Sequence, residues 1–435
     1  MRLSVLFFLL LHSCLAAQTY SSWLVGDTTD VSTAPQRGIV LAGGGGDNDD
    51  AMKWMLERAN GGDVLVLRAS GSDGYNDYFF SELGITVNSV ETIRFDHPDA
   101  AYDEYVLKQL SNAELVFLAG GNQHDYYEYW VDTPVEDTLA KLISEKGITI
   151  GGTSAGMAIL GEAFYAPPGG SADAAEALSD PFHPDMQLIE YGSFLHLPWL
   201  SKVITDTHYD QRERAGRHFV FMARLTNQYL DRFFGIACNE YTAVCIDEEG
   251  IARVFGEFPD YDDYAYFLQG NCQDEFLPEV LVPGTPVTWN RNNAAVKACR
   301  VPGTPDGENF FDLSDWQTSL GGTWWNWYAI GGEFSKVLTN DSDCNSPAVS
   351  MSIQHEGRTI TVSPVPFNDY LLVKFDQPGG SSVDFRIIRL DGQVIKTAHA
   401  NYPETRLELH ELTPGIYLLQ LIMDDQLVPI KIVKQ

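Results

Sequence analysis

Ser154 stands in Gly152-Thr153-Ser154-Ala155-Gly156, behind the apolar run Ile148-Thr149-Ile150 and ahead of the helix-like Met157-Ala158-Ile159-Leu160. A serine between small residues at a strand-to-helix corner has its hydroxyl exposed at a sheet edge, and glycines are needed where side chains would strike strand, helix or substrate. The following helix N-terminus adds positive potential. Such a corner serves nucleophilic attack on an acyl carbon, provided that a base takes the hydroxyl proton. Of the ten histidines, His208 stands out, following Val203-Ile204 in Thr205-Asp206-Thr207-His208-Tyr209; imidazole is the commonest acid-base group. Glu240, in Gly235-Ile236-Ala237-Cys238-Asn239-Glu240, is also near a strand end and suited to orient an imidazole. Singly, a histidine is more often structural, and Glu240 is one of 60 acidic residues.

The elements that must position these groups read as alternating strands and helices. Apolar runs at 39–42, 64–67, 92–95, 115–119 and 148–150 predict buried strands, and residues 47–60, with Met52, Met55, Leu56 and Ala59 at helical spacing, predict a helix. Fully apolar strands alternating with helices imply an α/β fold with a parallel sheet covered on both faces. Chemistry in such sheets sits at the carboxyl ends of strands, where the candidate residues fall. Gly43-Gly44-Gly45-Gly46-Asp47 lacks the spacing of a nucleotide-binding loop and reads as a tight turn beside the cleft. Residues 18–37 read as an irregular lead-in, and 38–335 as the catalytic domain, with additions after 251 wrapping it. Residues 336–356 read as a link. Residues 357–435, with short alternating strands such as 371–375 and 430–433 and a hairpin signal at Asp391-Gly392, predict a small β-sandwich.

A basic Arg2, an apolar run over 5–11 and small residues at Ala16 and Ala17 predict a secretory signal peptide over 1–17. Cys14 leaves a lipoprotein reading open. Removing 1–17 takes away one basic residue, Arg2, and no acid, so the net charge passes from −32 to −33. That sign repels nucleic acid and anionic lipid and attracts cations. Five cysteines remain, so at least one thiol is unpaired; their spacing supports no zinc site, and no metal or cofactor is expected.

Four motifs in order resemble the cyanophycinase branch of the peptidase E/cyanophycinase serine peptidases. They are Gly120-Gly121-Asn122-Gln123, Gly151–Gly156, Asp206-Thr207-His208-Tyr209 with Arg212, Arg214 and Arg217, and Gly235-Ile236 with Glu240-x-Thr242-Ala243, within roughly 38–312. The resemblance implies a three-layer parallel-sheet domain of the flavodoxin-like, class I glutamine amidotransferase-like kind. It implies Ser154 as nucleophile, His208 as base and Glu240 as third member, with an oxyanion hole from the N–H groups of Gly121 and Ala155. Gln123, Asp206, Arg212, Arg214 and Arg217 match the family's substrate pocket. Thr207 departs from the glutamine common there, which puts substrate detail in doubt. The implied substrate is cyanophycin, a poly-aspartate with arginine on its β-carboxyls; the implied enzyme is sometimes a homodimer.

The C-terminal segment resembles the sorting domain of the type IX secretion system, through Ser363–Asp369, Leu412-Thr413-Pro414-Gly415-Ile416-Tyr417 and Lys431–Lys434. That implies the type IX machinery as partner and export to the medium or cell surface through the periplasm. Two other functional readings stay open: a peptidase for other aspartyl or isoaspartyl peptides, and an inactive surface-displayed binding protein.

Overall fold

In the computed structural model, the described residues are 18–339, 341–344, 351–355, 358–363, 370–375, 383–389, 392–400, 404–413, 415–423 and 426–434. The expected signal peptide with Cys14, positions 364–369, Asp391 and Pro414 lie outside them. Five parallel strands, Ser89–Phe95, Asp63–Arg68, Leu115–Leu118, Thr149–Thr153 and Gly38–Ala42 in that spatial order, form the centre of a ten-stranded sheet. Both faces are covered, which is why the runs are apolar throughout. Val40, Ala42, Val64 and Val66 pack with Met52, Met55 and Leu56 of the helix Asp49–Glu57. Ile39, Leu41, Leu65 and Leu67 face the opposite cluster, with Leu110 of helix Glu104–Asn112 and Trp130 of helix Gln123–Trp130. The first helix is shorter than the 47–60 expected, because Asn48 caps it by accepting the N–H groups of Asp50 and Ala51 and the chain turns left-handed at Asn60.

The sheet edges depart from a purely parallel expectation. Tyr20–Gly26, read as irregular lead-in, pairs antiparallel with Ser89–Phe95, and Ala243–Ile246 pairs antiparallel with Gly38–Ala42. A second, eight-stranded sheet holds the strands that precede His208 and Glu240. Val203–Asp206 and Phe234–Cys238 are parallel neighbours there, joined through helix Ala215–Tyr229. Their apolar runs look like those of the first sheet because they too are buried on both faces, so the sequence pattern does not reveal which sheet they join. Ile236, Cys238 and Phe267 share a core with Ile39, Leu41 and Ile150, which packs one sheet on the other.

The segments after 251 extend both sheets rather than wrap them. Ile251–Phe255 and Phe310–Asp312 join the first; Tyr264–Gly270, Val296–Pro302, Thr323–Ile330 and Glu333–Thr339 join the second, all antiparallel. The expected link over 336–356 is correspondingly shorter. Thr323–Ile330 and Glu333–Thr339 form a hairpin closed by Gly331 and Gly332, both at positive φ, and Cys344 is bonded to Cys272. Met351–His355 already pairs with Arg358–Ser363. From there on, two four-stranded antiparallel sheets share one cluster that includes Ile360, Val373, Phe385, Leu419 and Ile430. Among the described residues, no helix is long and apolar enough to cross a membrane.

Candidate active site

The corner after Thr149–Thr153 is strained. Ser154 has φ 52° and ψ −114°, a conformation costing about 1–3 kcal/mol that the surroundings must impose. Its N–H donates to the Ala42 carbonyl at 3.0 Å, and its own carbonyl accepts from Ala158 N–H at 2.9 Å. The flanking glycines are required by close approach: a Cβ at Gly156 would lie 1.9 Å from the Leu118 carbonyl oxygen, and one at Gly152 would lie 2.5 Å from the Gly156 carbonyl carbon. The helix that follows is the single turn Ala155–Ala158, shorter than expected. It closes in a tight turn, with Leu160 N–H on the Met157 carbonyl at 3.1 Å. Its dipole therefore contributes less beside Ser154 than a full helix would.

Past the end of Val203–Asp206, His208 takes a left-handed φ of 46° and its N–H donates to the Gly43 carbonyl at 2.9 Å. Its Nε2 lies 2.8 Å from Ser154 Oγ and its Nδ1 2.6 Å from Glu240 Oε1. Glu240 stands past the neighbouring strand, where its N–H donates to Gln211 Oε1 at 3.0 Å. The glycine turn expected beside the cleft is pressed against all three side chains. A Cβ at Gly44 (φ 94°) would lie 2.6 Å from His208 Cε1 and 3.0 Å from Ser154 Cβ, and one at Gly45 would meet Glu240 at 2.8 Å.

Burial pushes the His208 imidazole below its ordinary value of 6.5, and Arg212 and Arg214 push it the same way. The Glu240 hydrogen bond and charge oppose this without cancelling it. The ring is therefore neutral at pH 7 and able to accept a proton. The acidic limb of kcat/KM should have its midpoint below pH 6.5, since activity needs the neutral ring, and Arg212→Met should move that midpoint upward. A limb above pH 6.5 in the unaltered protein contradicts this.

Nine of the ten residues singled out in the sequence line one pocket of about 160 Å³, and Glu240 stands behind the imidazole. The N–H groups of Gly121 and Ala155 have no acceptor among the described residues. Gln123 opens helix Gln123–Trp130 and donates to the Tyr165 carbonyl at 3.2 Å. The three arginines differ in kind. Arg212 is exposed and carries no ion pair among the described residues. Arg214 is half-buried; burial lowers it to about 10, and it donates to the Thr207 carbonyl at 2.7 Å. Arg217 is 3% exposed. It grips Asp206 through Nε at 2.8 Å and Nη2 at 2.6 Å, while Nη1 donates to Ser171 Oγ at 2.7 Å and to the Ala172 carbonyl. Its donors are consumed, so it braces the pocket wall instead of offering a free fork.

Burial pushes the Asp206 carboxyl up, but Arg217, at the distance of a hydrogen-bonded pair, and then Arg214 outweigh it and hold the group at about 2. The wall over 165–172, with Tyr165 and Ser171, was not legible as part of the site, because its tyrosine and serine flank a Pro- and Gly-rich stretch that carries no catalytic motif. The free thiols Cys238, Cys245 and Cys299 are buried, and burial raises all three, which keeps them protonated and unreactive. Glu176, His183 and Asp185 bring ligand-type atoms within 4.8 Å of one another, but none lines the pocket.

A hydroxyl, an imidazole and a carboxylate in bonding sequence, beside two unengaged backbone donors, form the arrangement found in hydrolases that use serine as nucleophile. Residues 72–254 match the profile of Peptidase family S51, and 361–435 that of the secretion system C-terminal sorting domain. The chain thus carries a peptidase family S51 domain followed by a secretion sorting domain. The cyanophycinase of Synechococcus elongatus is 28% identical over 232 residues, which cover 51% of this chain and 66% of that protein. The cyanophycinase of Geminocystis herdmanii is 28% identical over 235 residues, or 51% and 78%. The chain spans just under two thirds of the length of the first of these. A crystal structure of a peptidase from an acI-B1 actinobacterium aligns over 52% of this chain and 89% of its own, at 13% identity and a TM-score of 0.37.

Proposed function

We propose that the chain is an exported serine peptidase that hydrolyses β-linked aspartyl-arginine isopeptide bonds, on a catalytic domain of flavodoxin-like layering with a C-terminal sorting β-sandwich. The observation that carries this reading is the unbroken Ser154–His208–Glu240 hydrogen-bond chain, 2.8 and 2.6 Å, at the mouth of a pocket that also holds Arg212 and Arg214. The neutral imidazole takes the Ser154 proton as Oγ attacks the carbonyl, and Glu240 stabilises the imidazolium and keeps its tautomer. The N–H groups of Ala155 and Gly121 receive the developing oxyanion; losing one such donor typically costs about 10²–10³ in turnover. His208 then protonates the leaving amine, and water, deprotonated by the same ring, releases the acid from the acyl-enzyme. No step calls for a cofactor.

Arg212, exposed and without an ion pair among the described residues, suits a free carboxylate of an aspartyl residue, since a planar guanidinium binds carboxylate through two parallel bonds. The half-buried Arg214, whose Nη1 is held by Thr207 and lies 3.5 Å from Asp206, adds positive charge beside it. The strongly acidic remainder of the chain favours the cationic arginine of the same substrate. The purified protein lacking 1–17 should liberate β-Asp-Arg from cyanophycin and leave α-linked aspartyl dipeptides uncut. Preference for the α-linked or isoaspartyl peptides would move the assignment to a related peptidase. Failure of a serine-reactive phosphonate to label Ser154 would leave only a binding role.

A further inference from the structure

The Ser154–His208–Glu240 chain requires two loops to keep a fixed separation, and past the paired strand ends the backbone joins them through Tyr209 N–H on the Cys238 carbonyl at 3.2 Å, with Glu240 N–H on Gln211 Oε1. Ladder pairing between the two parallel strands ends at Ala237 and Asp206. Beyond it both loops turn through left-handed residues, His208 at φ 46° and Tyr241 at φ 61°. Asn239, fully buried, fills the gap. Its Oδ1 accepts the Asp210 N–H at 3.1 Å, and its Nδ2 donates to Asp210 Oδ2 at 3.1 Å and to the Asp262 carbonyl at 2.8 Å. Tyr266 donates its hydroxyl to the same Asp210 oxygen at 2.6 Å. The Asn239 N–H donates to the Tyr264 carbonyl at 3.0 Å, and its carbonyl oxygen lies where a Cβ on Gly43 would stand, 1.9 Å away. One side chain and its peptide therefore touch the histidine loop, the glutamate loop, the glycine turn and the strand beyond.

We propose that Asn239, clamped on Asp210, is a positioning residue that sets the distance between His208 and Glu240; this rests on the serine-peptidase reading above. The residue type is dictated by the partner. Only an amide presents an acceptor and a donor side by side to the N–H and carboxylate of one aspartate. An aspartate at 239 would set two carboxylates about 3 Å apart, a like-charge contact that drives the loops apart. An apolar residue would remove both bonds to Asp210, leaving its N–H without the Asn239 oxygen and its carboxylate with the Tyr266 hydroxyl alone of these donors.

The test uses the whole chain lacking 1–17 and a fluorophosphonate that labels Ser154 without reference to any peptide substrate. Asn239→Asp should slow labelling roughly 10–100-fold, the size of effect expected from a displacement near 1 Å at a reacting centre. The exchanged pair, Asn239→Asp with Asp210→Asn, restores donor to acceptor towards residue 210 but sets a carboxylate oxygen against the Asp262 carbonyl, so it should recover part of the lost rate and not all of it. On a cleaved peptide the loss should fall in kcat and leave KM unchanged, because no substrate contact is altered. Should Asn239→Asp not fold, Tyr266→Phe, which removes one bond to Asp210, should still slow labelling by about threefold. Unaltered labelling in these variants, or an exchanged pair no faster than Asn239→Asp alone, overturns the proposal. An unaltered chain that is not labelled at all would instead sink the serine-peptidase reading, and this one with it.

Discussion

Ser154→Ala is expected to lower turnover by a factor on the order of 10⁵–10⁶, with little change in melting temperature. Among the described residues the side chain it removes bonds only to His208 Nε2, so no core contact is lost, and the strained backbone at φ 52° stays as unfavourable for alanine as for serine. Residual activity would come from the donors at Gly121 and Ala155 acting on an attacking water. His208→Ala should cost about as much as Ser154→Ala, and the double variant scarcely more, because a nucleophile without its base and a base without its nucleophile are equally idle. Quantitative hydrolysis of the same substrate by all three proteins decides the matter. Additive losses, or a Ser154→Ala protein at a tenth of the original rate, would mean that this hydroxyl is not the attacking group.

The second large effect concerns stability. Asp206→Ala should destabilise the fold by about 3–5 kcal/mol, because it strands the Arg217 guanidinium where only 3% of that residue is exposed. Replacing both members by apolar residues should recover much of the loss, since the burial penalty goes with the charges. The pair also sets an acid limit. Asp206 has an ordinary value of 3.8 and is held at about 2 in the folded chain. A depressed carboxyl contributes stability that is whole above its unfolded value and fades as pH falls through its folded one. This group should therefore account for about 2 kcal/mol lost between roughly pH 4 and pH 2. Urea unfolding across that range should show the original losing about 2 kcal/mol more than Asp206→Ala, since other lowered carboxyls such as Asp96 and Asp231 make both curves fall. Parallel curves would show that the pair does not titrate as described.

How much of this was legible in the chain depended on whether position along a strand carried the information. Ser154, His208 and Glu240 each follow an apolar run, and the rule that chemistry gathers at carboxyl ends located them without knowing which sheet they left. The division into two sheets was not legible, because runs 203–206 and 234–238 have the same doubly buried composition as 64–67. Tyr20–Gly26 was missed since a half-exposed edge strand alternates weakly. The hairpin at Gly331-Gly332 carried a usable signal, two adjacent glycines between apolar stretches, that lost out to the expectation of a link. Arg217 illustrates a different limit. Three arginines in six residues announce positive charge, but only the fold shows that one of them spends it on Asp206. Asn239 had no signal beyond adjacency to Glu240, because an amide's role depends wholly on what it faces.

The sulfur bridge between Cys272 and Cys344 has a bearing on shedding. It can close only in an oxidising compartment. Once closed, a protease that nicks the backbone anywhere between the two half-cystines liberates nothing, since the downstream piece stays tethered at position 344. Scission beyond that residue sets the tail free outright. A thiol reductant added after an upstream nick removes the covalent tether, so gels run with and without reductant tell the two kinds of cut apart.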